Sequence, residues 1–234
     1  MNQPGYFISA LGDSALLIDF GNVIDQTVNK RVLAVMRSFQ HAAIVGVLDL
    51  VPAYSSLTVH YEIFTILHAN KGATAFEIMK EKTEFLLLKK IEEITLETKK
   101  VRIPVCYAPH YGWDVDEIAR QVKLNAEEII LLHTSKTYRV YMVGFLPGFA
   151  YMGEVDERIA LPRKATPRLQ IPRGSVGIAG KQTGIYPLPS PGGWQIIGRT
   201  PLKLFDRYAE EPVLLSPGDE VEFYSISENE FINY

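Results

Sequence analysis

Between Gly144 and Thr200 the chain concentrates residue types that bind and orient small polar molecules. Gly180-Lys181-Gln182-Thr183-Gly184-Ile185-Tyr186 sets Gln182, Thr183 and Tyr186, which give and accept hydrogen bonds, among glycines. Ser190-Pro191-Gly192-Gly193-Trp194 and Ile197-Gly198-Arg199-Thr200 follow, placing a Trp and an Arg at the two ends of one predicted strand. Glycine lets a ligand approach the backbone closely, so this density suits a small polar-ligand site. Upstream, Gly144-Phe145-Leu146-Pro147-Gly148-Phe149 turns sharply and projects two aromatics, as either a barrel corner or a pocket wall.

A basic stretch links these runs. Arg158, Arg163, Lys164, Arg168 and Arg173 occur with no acidic residue from Ile159 through Arg173, and Pro162, Pro167 and Pro172 keep the backbone stiff. Rigidly presented guanidinium groups suit carboxylate or phosphate; the alternative is a solvated loop whose charges pair elsewhere. His133 falls at the end of a predicted short helix, where the dipole favours a cation; it is either structural or a proton carrier. Cys106, the only cysteine, lies in the strand-like Val101–Tyr107 and reads as a small buried hydrophobe.

Several chemistries have no sequence support. There is no phosphate-binding G-x-x-x-x-G-K-[ST], no G-x-G-x-x-G, no G-x-S-x-G, no H-E-x-x-H and no paired cysteines. No metal site is therefore expected, and a self-sufficient ATPase or hydrolase is hard to build from this chain. The net charge of −3 and pI near 6.0 argue against nucleic-acid or membrane-surface binding. No signal peptide or apolar 18-residue run is visible, so the expected location is cytoplasmic.

The elements that must carry these residues fall into two grammars. Residues 1–97 read as β-β-α-β-β-α. Tyr6–Leu11 and Ala15–Phe20 form a hairpin, and Asp25 caps a helix through about Phe39. Strands follow at Ile44–Leu50 and Ser56–Tyr61 with a bend at Val51-Pro52-Ala53-Tyr54, and a last helix runs from Gly72 to near residue 95. Residues 98–234 hold ten of the 14 prolines between Pro147 and Pro217, with strands predicted at 138–145, 175–179, 194–198 and 220–224. That punctuation predicts a β-barrel or sandwich. Two short helices, capped by Asp114 with Glu117 and by Asn125 with Glu128, read as a lid rather than a DNA-reading pair, since neither offers a basic face. The fold class is α+β.

The motifs together carry a family resemblance. Gly12-Asp13-Ser14-Ala15, Val51-Pro52-Ala53-Tyr54, Ile103-Pro104-Val105-Cys106-Tyr107, Leu132-His133-Thr134, the Gly144–Phe149 run, Gln182-Thr183, Ser190–Trp194, Ile197–Pro201 and Leu215-Ser216-Pro217-Gly218-Asp219 occur in this order. The chain resembles the family that contains the B subunit of 5-oxoprolinase, KipI-type kinase inhibitors and allophanate hydrolase subunit 1. The resemblance implies a DCoH-like amino-terminal domain and a cyclophilin-like β-barrel. It implies work with a LamB/YcsF-type protein and a KipA-type protein, hydrolysing 5-oxo-L-proline to L-glutamate with ATP. On that reading Arg168 and Arg199 face carboxylate or developing phosphate charge, and Gln182, Thr183 and Tyr186 orient the amide. Phe149 and Trp194 are walls, Gly192 and Gly193 complete the binding loop, and His133 shuttles a proton. A sensor histidine kinase partner and a urea carboxylase-related activity are the alternatives.

Overall fold

The computed structural model describes residues 5–68, 72–88 and 98–234, and the chain divides into two compact units, Met1–Glu97 and Thr98–Tyr234. No helix among the described residues is long and apolar enough to cross a membrane.

The first unit runs β1 (Phe7–Ala10), β2 (Ala15–Asp19), α1 (Gln26–Ala42), β3 (Val47–Pro52), β4 (Ser56–Tyr61), α2 (Ile63–His68) and α3 (Ala75–Leu88). Its strands form one antiparallel sheet in the order β1-β2-β4-β3. The Asp25 carboxylate accepts the Val28 N–H at 2.8 Å, satisfying an orphan donor at the start of α1. Val32, Val35 and Phe39 recur on one face of that helix and bury against Leu16, Ile18, Leu57, Val59 and Met79.

Two details differ from the sequence reading. Ile63–His68 adds a short helix before α3. The expected bend over Val51–Tyr54 is confined to its second half: Val51 and Pro52 end β3, and the chain bends at Tyr54-Ser55; proline is tolerated in β3 because that strand lies at the sheet edge, where a ladder donor is not required. The expected end of the last helix near residue 95 lies outside the described residues.

The second unit contains β5 (Lys100–Val105), α4 (Val115–Val122), α5 (Ala126–Thr134), β6 (Thr137–Val143), β7 (Ala150–Gly153), β8 (Arg168–Ile171), β9 (Ser175–Ala179), β10 (Gln182–Ile185), β11 (Ser190–Gly192), β12 (Gln195–Arg199), β13 (Glu220–Ser225) and α6 (Glu228–Ile232). Seven strands line up as β12-β9-β10-β7-β6-β13-β5, with only the β13–β5 pair parallel. The two ends of that sheet meet. Cys106, just past β5, donates its N–H to the Arg199 carbonyl at 2.8 Å and accepts the Arg199 N–H at 2.9 Å. The barrel thus closes at one bridge. Gly198 makes the approach possible, since a Cβ there would lie 2.6 Å from Val105 Cγ1 and 2.9 Å from the Cys106 carbonyl.

Alternation along the strands separates two apolar clusters. Val176, Ile178, Ile185 and Ile197 point into the barrel with Val105, Val140 and Val221, and Ile118 of α4 and Ile129 of α5 pack into the same cluster. The helical pair is a lid on the barrel core. On the other face of the sheet, Phe149, Ala179, Tyr186, Trp194 and Ile196 form a separate cluster with Ile171 of β8. The antiparallel β8–β11 ribbon lies beside that second cluster.

The Asn125–Glu128 capping box at α5 forms as expected: Asn125 Oδ1 accepts the Glu128 N–H at 2.8 Å, and Glu128 accepts the Asn125 N–H at 2.7 Å. The corresponding box at α4 does not form. Asp114 makes no side-chain cap, because its carboxylate is taken by partners distant in sequence.

Candidate functional site

The outer aromatic cluster opens into a cavity of about 240 Å³ lined by Phe145, Phe149, Tyr151, Arg163, Tyr186 and Trp194, with Pro167, Pro191, Gly192 and Gly193 at its edge. Phe149 is the hub. Its ring meets Tyr186 at 5.2 Å and 83°, Trp194 at 5.4 Å and 86°, and Phe145 at 5.6 Å and 89°. Each is the edge-to-face arrangement that the ring quadrupole favours. Burying a side chain of this size contributes about 2–3 kcal/mol, so the walls are fixed by the fold itself.

Local sequence explains why the walls meet. β10 places Gly184 on the outer face, and a Cβ there would lie 3.0 Å from Trp194 Cζ3 and 3.1 Å from Phe149 Cζ. Only glycine lets both rings lie on the strand. The two glycines before Trp194 differ in kind. A Cβ at Gly192 would strike the Tyr186 hydroxyl and lie 2.7 Å from Ile171 Cδ1, whereas one at Gly193 would meet nothing closer than 3.5 Å. Gly192 is required by packing, and Gly193 leaves room at the cavity edge. Burial pushes the Tyr186 phenol up to about 12, against opposing hydrogen bonding from the Trp194 N–H, so it stays a neutral hydroxyl.

Five of the ten candidate residues therefore gather at this cavity: Phe149, Tyr186, Gly192, Gly193 and Trp194. The other five lie elsewhere. His133 is fully buried inside the barrel, stacked on Phe223 at 4.6 Å. Its Nε2 lies 3.0 Å from Thr183 Oγ1, and its Nδ1 lies 2.8 Å from the Tyr107 hydroxyl. Thr183 spends its own proton on the Gly177 carbonyl at 3.0 Å, so it must accept from Nε2–H, and Nδ1 accepts from Tyr107. This is a neutral imidazole with both nitrogens satisfied, and burial holds its pKa down at about 3.

Arg168 is also committed. Its fork grips Asp114 through Nη1–Oδ2 at 2.9 Å and Nη2–Oδ1 at 2.6 Å, and its guanidinium lies 5.3 Å from the Trp113 ring centroid. Asp114 further accepts the Ile196 N–H at 2.6 Å and pairs with Lys164 Nζ at 3.0 Å. Burial pushes the Asp114 carboxyl up, but the Arg168, Ile196 and Lys164 hydrogen bonds together outweigh it and hold the group below the usual range. Arg199 closes the barrel through its backbone and donates Nε to the Arg173 carbonyl at 2.8 Å. Gln182, on β10, is half-buried and paired through its backbone with Ala179 and Gly153.

Besides Pro167 and Pro191 at the edge, three residues of the cavity wall were not singled out as site residues in the sequence: Phe145, Tyr151 and Arg163. Phe145 and Tyr151 flank Phe149 in the aromatic run, and Arg163 belongs to the proline-paced stretch. The signal was present for each, and the choice among five cations was not.

Comparison with known proteins agrees with this architecture. The family described as carboxyltransferase domain, subdomain C and D matches residues 6–215. The chain is 44% identical over 231 residues to the B subunit of 5-oxoprolinase from Bacillus subtilis, covering 98% of this chain and 96% of that protein. It is 28% identical over 245 residues to the urea amidolyase of Lachancea kluyveri, covering 94% of this chain and 13% of that protein. The crystal structure of TTHA0988 superposes with a TM-score of 0.78 at 35% identity, covering 91% of this chain; this chain spans 40% of that longer one. With the match extending over nearly its whole length, the chain belongs to the carboxyltransferase domain, subdomain C and D family.

Proposed function

We propose that this chain is the B subunit of an ATP-dependent 5-oxoprolinase, and that its outer-face aromatic cavity holds the lactam ring of 5-oxo-L-proline. The observation that carries the reading is the cavity itself: a buried T-shaped aromatic cluster around about 240 Å³, in a chain that matches a 5-oxoprolinase B subunit end to end. Drug-sized ligands occupy roughly 300–1,000 Å³, so this space suits one small flat ring.

ATP does not fit the residues of this cavity. It is too small for a nucleoside triphosphate, and the chain has no glycine-rich phosphate loop followed by Lys-Ser/Thr. What this chain contributes is binding, orientation and exclusion of water. Phe149 and Trp194 enclose the ring, and the neutral Tyr186 hydroxyl and the Gly192-Gly193 backbone fix its polar edge. In the net reaction water adds its oxygen to the lactam carbonyl carbon, the C–N bond breaks, and the nitrogen gains the proton to give L-glutamate. His133, Thr183 and Arg168 act from outside the cavity as positioning residues. Gln182 and Arg199 stand at the barrel wall and seam.

The test is 5-oxoproline-dependent ATP hydrolysis by the complete set of three proteins, by the set lacking this chain, and by the set carrying Trp194→Ala. Activity in the complete set alone, reduced about 100-fold or more by Trp194→Ala with assembly intact, is the expected result. Full activity without this chain would overturn the proposal.

A further inference from the structure

The proline-paced stretch offers several cations, and the structure separates them by what each already touches. Arg158 Nε donates to Asp156 Oδ1 at 2.9 Å. Lys164 pairs with Glu117 at 2.8 Å and Asp114 at 3.0 Å. Arg168 is held by the bidentate grip of Asp114, and Arg173 does not line the cavity.

Arg163 stands apart. It makes no hydrogen bond or ion pair among the described residues, and its guanidinium carbon lies 6.0 Å from the centroid of Trp194. Among the described residues it is also the only cation lining the aromatic cavity. Its position is set by its neighbours. Lys164 donates its backbone N–H to the Gly193 carbonyl at 2.7 Å, and Pro162 accepts Gln195 Nε2–H at 3.0 Å. The backbone on both sides of Arg163 is therefore tied to the two residues that flank Trp194, in the bend between β11 and β12. A guanidinium fixed over an aromatic wall with its hydrogen bonds unspent is built to meet an anion, because its planar fork matches a carboxylate in two parallel bonds.

We infer that Arg163 is the anion anchor of the cavity, making it selective for a small flat ring that bears a carboxylate over the same ring without one. The inference deepens the 5-oxoprolinase reading and rests on it for the identity of the ring. The field of Arg163 reaches both phenols of the cavity, opposing the upward push of burial at Tyr151 and Tyr186, which places its charge within the site. Arg163 acts here as a specificity-determining binding residue. Of the two arginines that the sequence singles out, Arg168 is spent on Asp114 and Arg199 lies outside the cavity lining with Nε on the Arg173 carbonyl.

The full-length chain carrying Trp113→Phe leaves Trp194 as the single tryptophan, so its fluorescence reports cavity occupancy. The probes are 5-oxo-L-proline and 2-pyrrolidinone, the same lactam ring without the carboxylate. We expect 5-oxo-L-proline to bind about 10- to 100-fold more tightly, the range of a charge-assisted hydrogen-bonded pair. Arg163→Ala is expected to bring the ratio to about one while 2-pyrrolidinone affinity is unchanged, and Arg163→Lys to keep part of the preference. A ratio preserved in Arg163→Ala, or no discrimination by the parent chain, would overturn the inference. Failure of the enzymatic reading is distinct: the assembled complex would lack 5-oxoproline-dependent ATP hydrolysis while the Arg163-dependent ratio persisted, which still supports the anchor.

Discussion

Asp114 and Arg168 face each other across 54 positions of sequence in a two-point grip, Oδ1 to Nη2 at 2.6 Å and Oδ2 to Nη1 at 2.9 Å. The aspartate is nearly fully buried and also holds the Ile196 N–H. One carboxylate thus ties the start of α4 to β8 and β12.

Asp114→Asn is expected to destabilise the chain by about 2 kcal/mol in urea unfolding, because it removes the buried anion that pairs two partly buried cations and weakens the hold on the Ile196 N–H. The folded-state pKa of Asp114 is depressed, so its contribution is present above the unfolded carboxyl value and lost as pH falls through the folded one. The gap between parent and variant should therefore narrow below about pH 4. A constant gap from about pH 7 to about pH 3 would show that the charge is not what Asp114 contributes.

His133 gives a signature of the same sign in a higher pH window. Its folded-state pKa of about 3 lies below the ordinary histidine value, so the unfolded chain binds the proton first as pH falls. Stability is unaffected by this group above about pH 6.5 and drains away as pH drops toward the folded value, by up to about 1.4 kcal/mol per pH unit. His133→Phe should cost about 1–3 kcal/mol at about pH 8, by orphaning Tyr107 and Thr183, yet show a flatter profile between about pH 6.5 and 4. Equal slopes in parent and variant would contradict a neutral buried imidazole.

The two adjacent glycines should separate fold from binding. Gly192→Ala drives a methyl into the Tyr186 hydroxyl and Ile171, and should cost about 1–3 kcal/mol in thermal or urea unfolding. Gly193→Ala should change stability by about 0.5 kcal/mol or less, since its Cβ meets only ordinary contacts, yet weaken ring binding about tenfold by intruding on the cavity. Equal destabilisation by both substitutions would deny the distinction.

Gly198→Val should loosen the barrel seam, because the new side chain would lie on Val105 Cγ1 and the Cys106 carbonyl. The expected reading is faster amide hydrogen exchange at Cys106 and Arg199, with strand β7 still protected. Unchanged protection at the seam would show that the bridge tolerates the added volume.

What could be read from the residues divides along the range of the interactions. The Asp25 and Asn125 caps are local, reaching three residues, and both form. The Asp114 cap obeyed the same local pattern and failed, because Arg168, Lys164 and Ile196 compete for its oxygens and no window of sequence contains all four. The cavity walls were legible in the Phe149 run and the Gly192-Gly193-Trp194 step. The identity of its cation was not, since five basic residues look alike until their internal partners are known. His133 was visible as a helix-terminal group, but which way the imidazole faces is decided by Thr183, 50 residues later. The extra helix at Ile63–His68 is too short for its periodicity to separate it from a strand or a loop.

The single bridge between Cys106 and Arg199 also sets the order in which this barrel can be made. Its first strand pairs with its last, β5 with β13 in parallel, and its seam joins the residue after β5 to the end of β12. A chain emerging from the ribosome holds β5 without any partner until nearly the whole unit has been synthesised. Non-local pairings of this kind pay their loop-closure cost before any contact rewards them, which makes closure slow. During that interval Val101, Ile103 and Val105 form an apolar strand with open edges, the kind of surface that invites association with other chains. Coexpression with partner proteins or a chaperone should therefore raise the soluble yield more than it raises the stability of the finished protein.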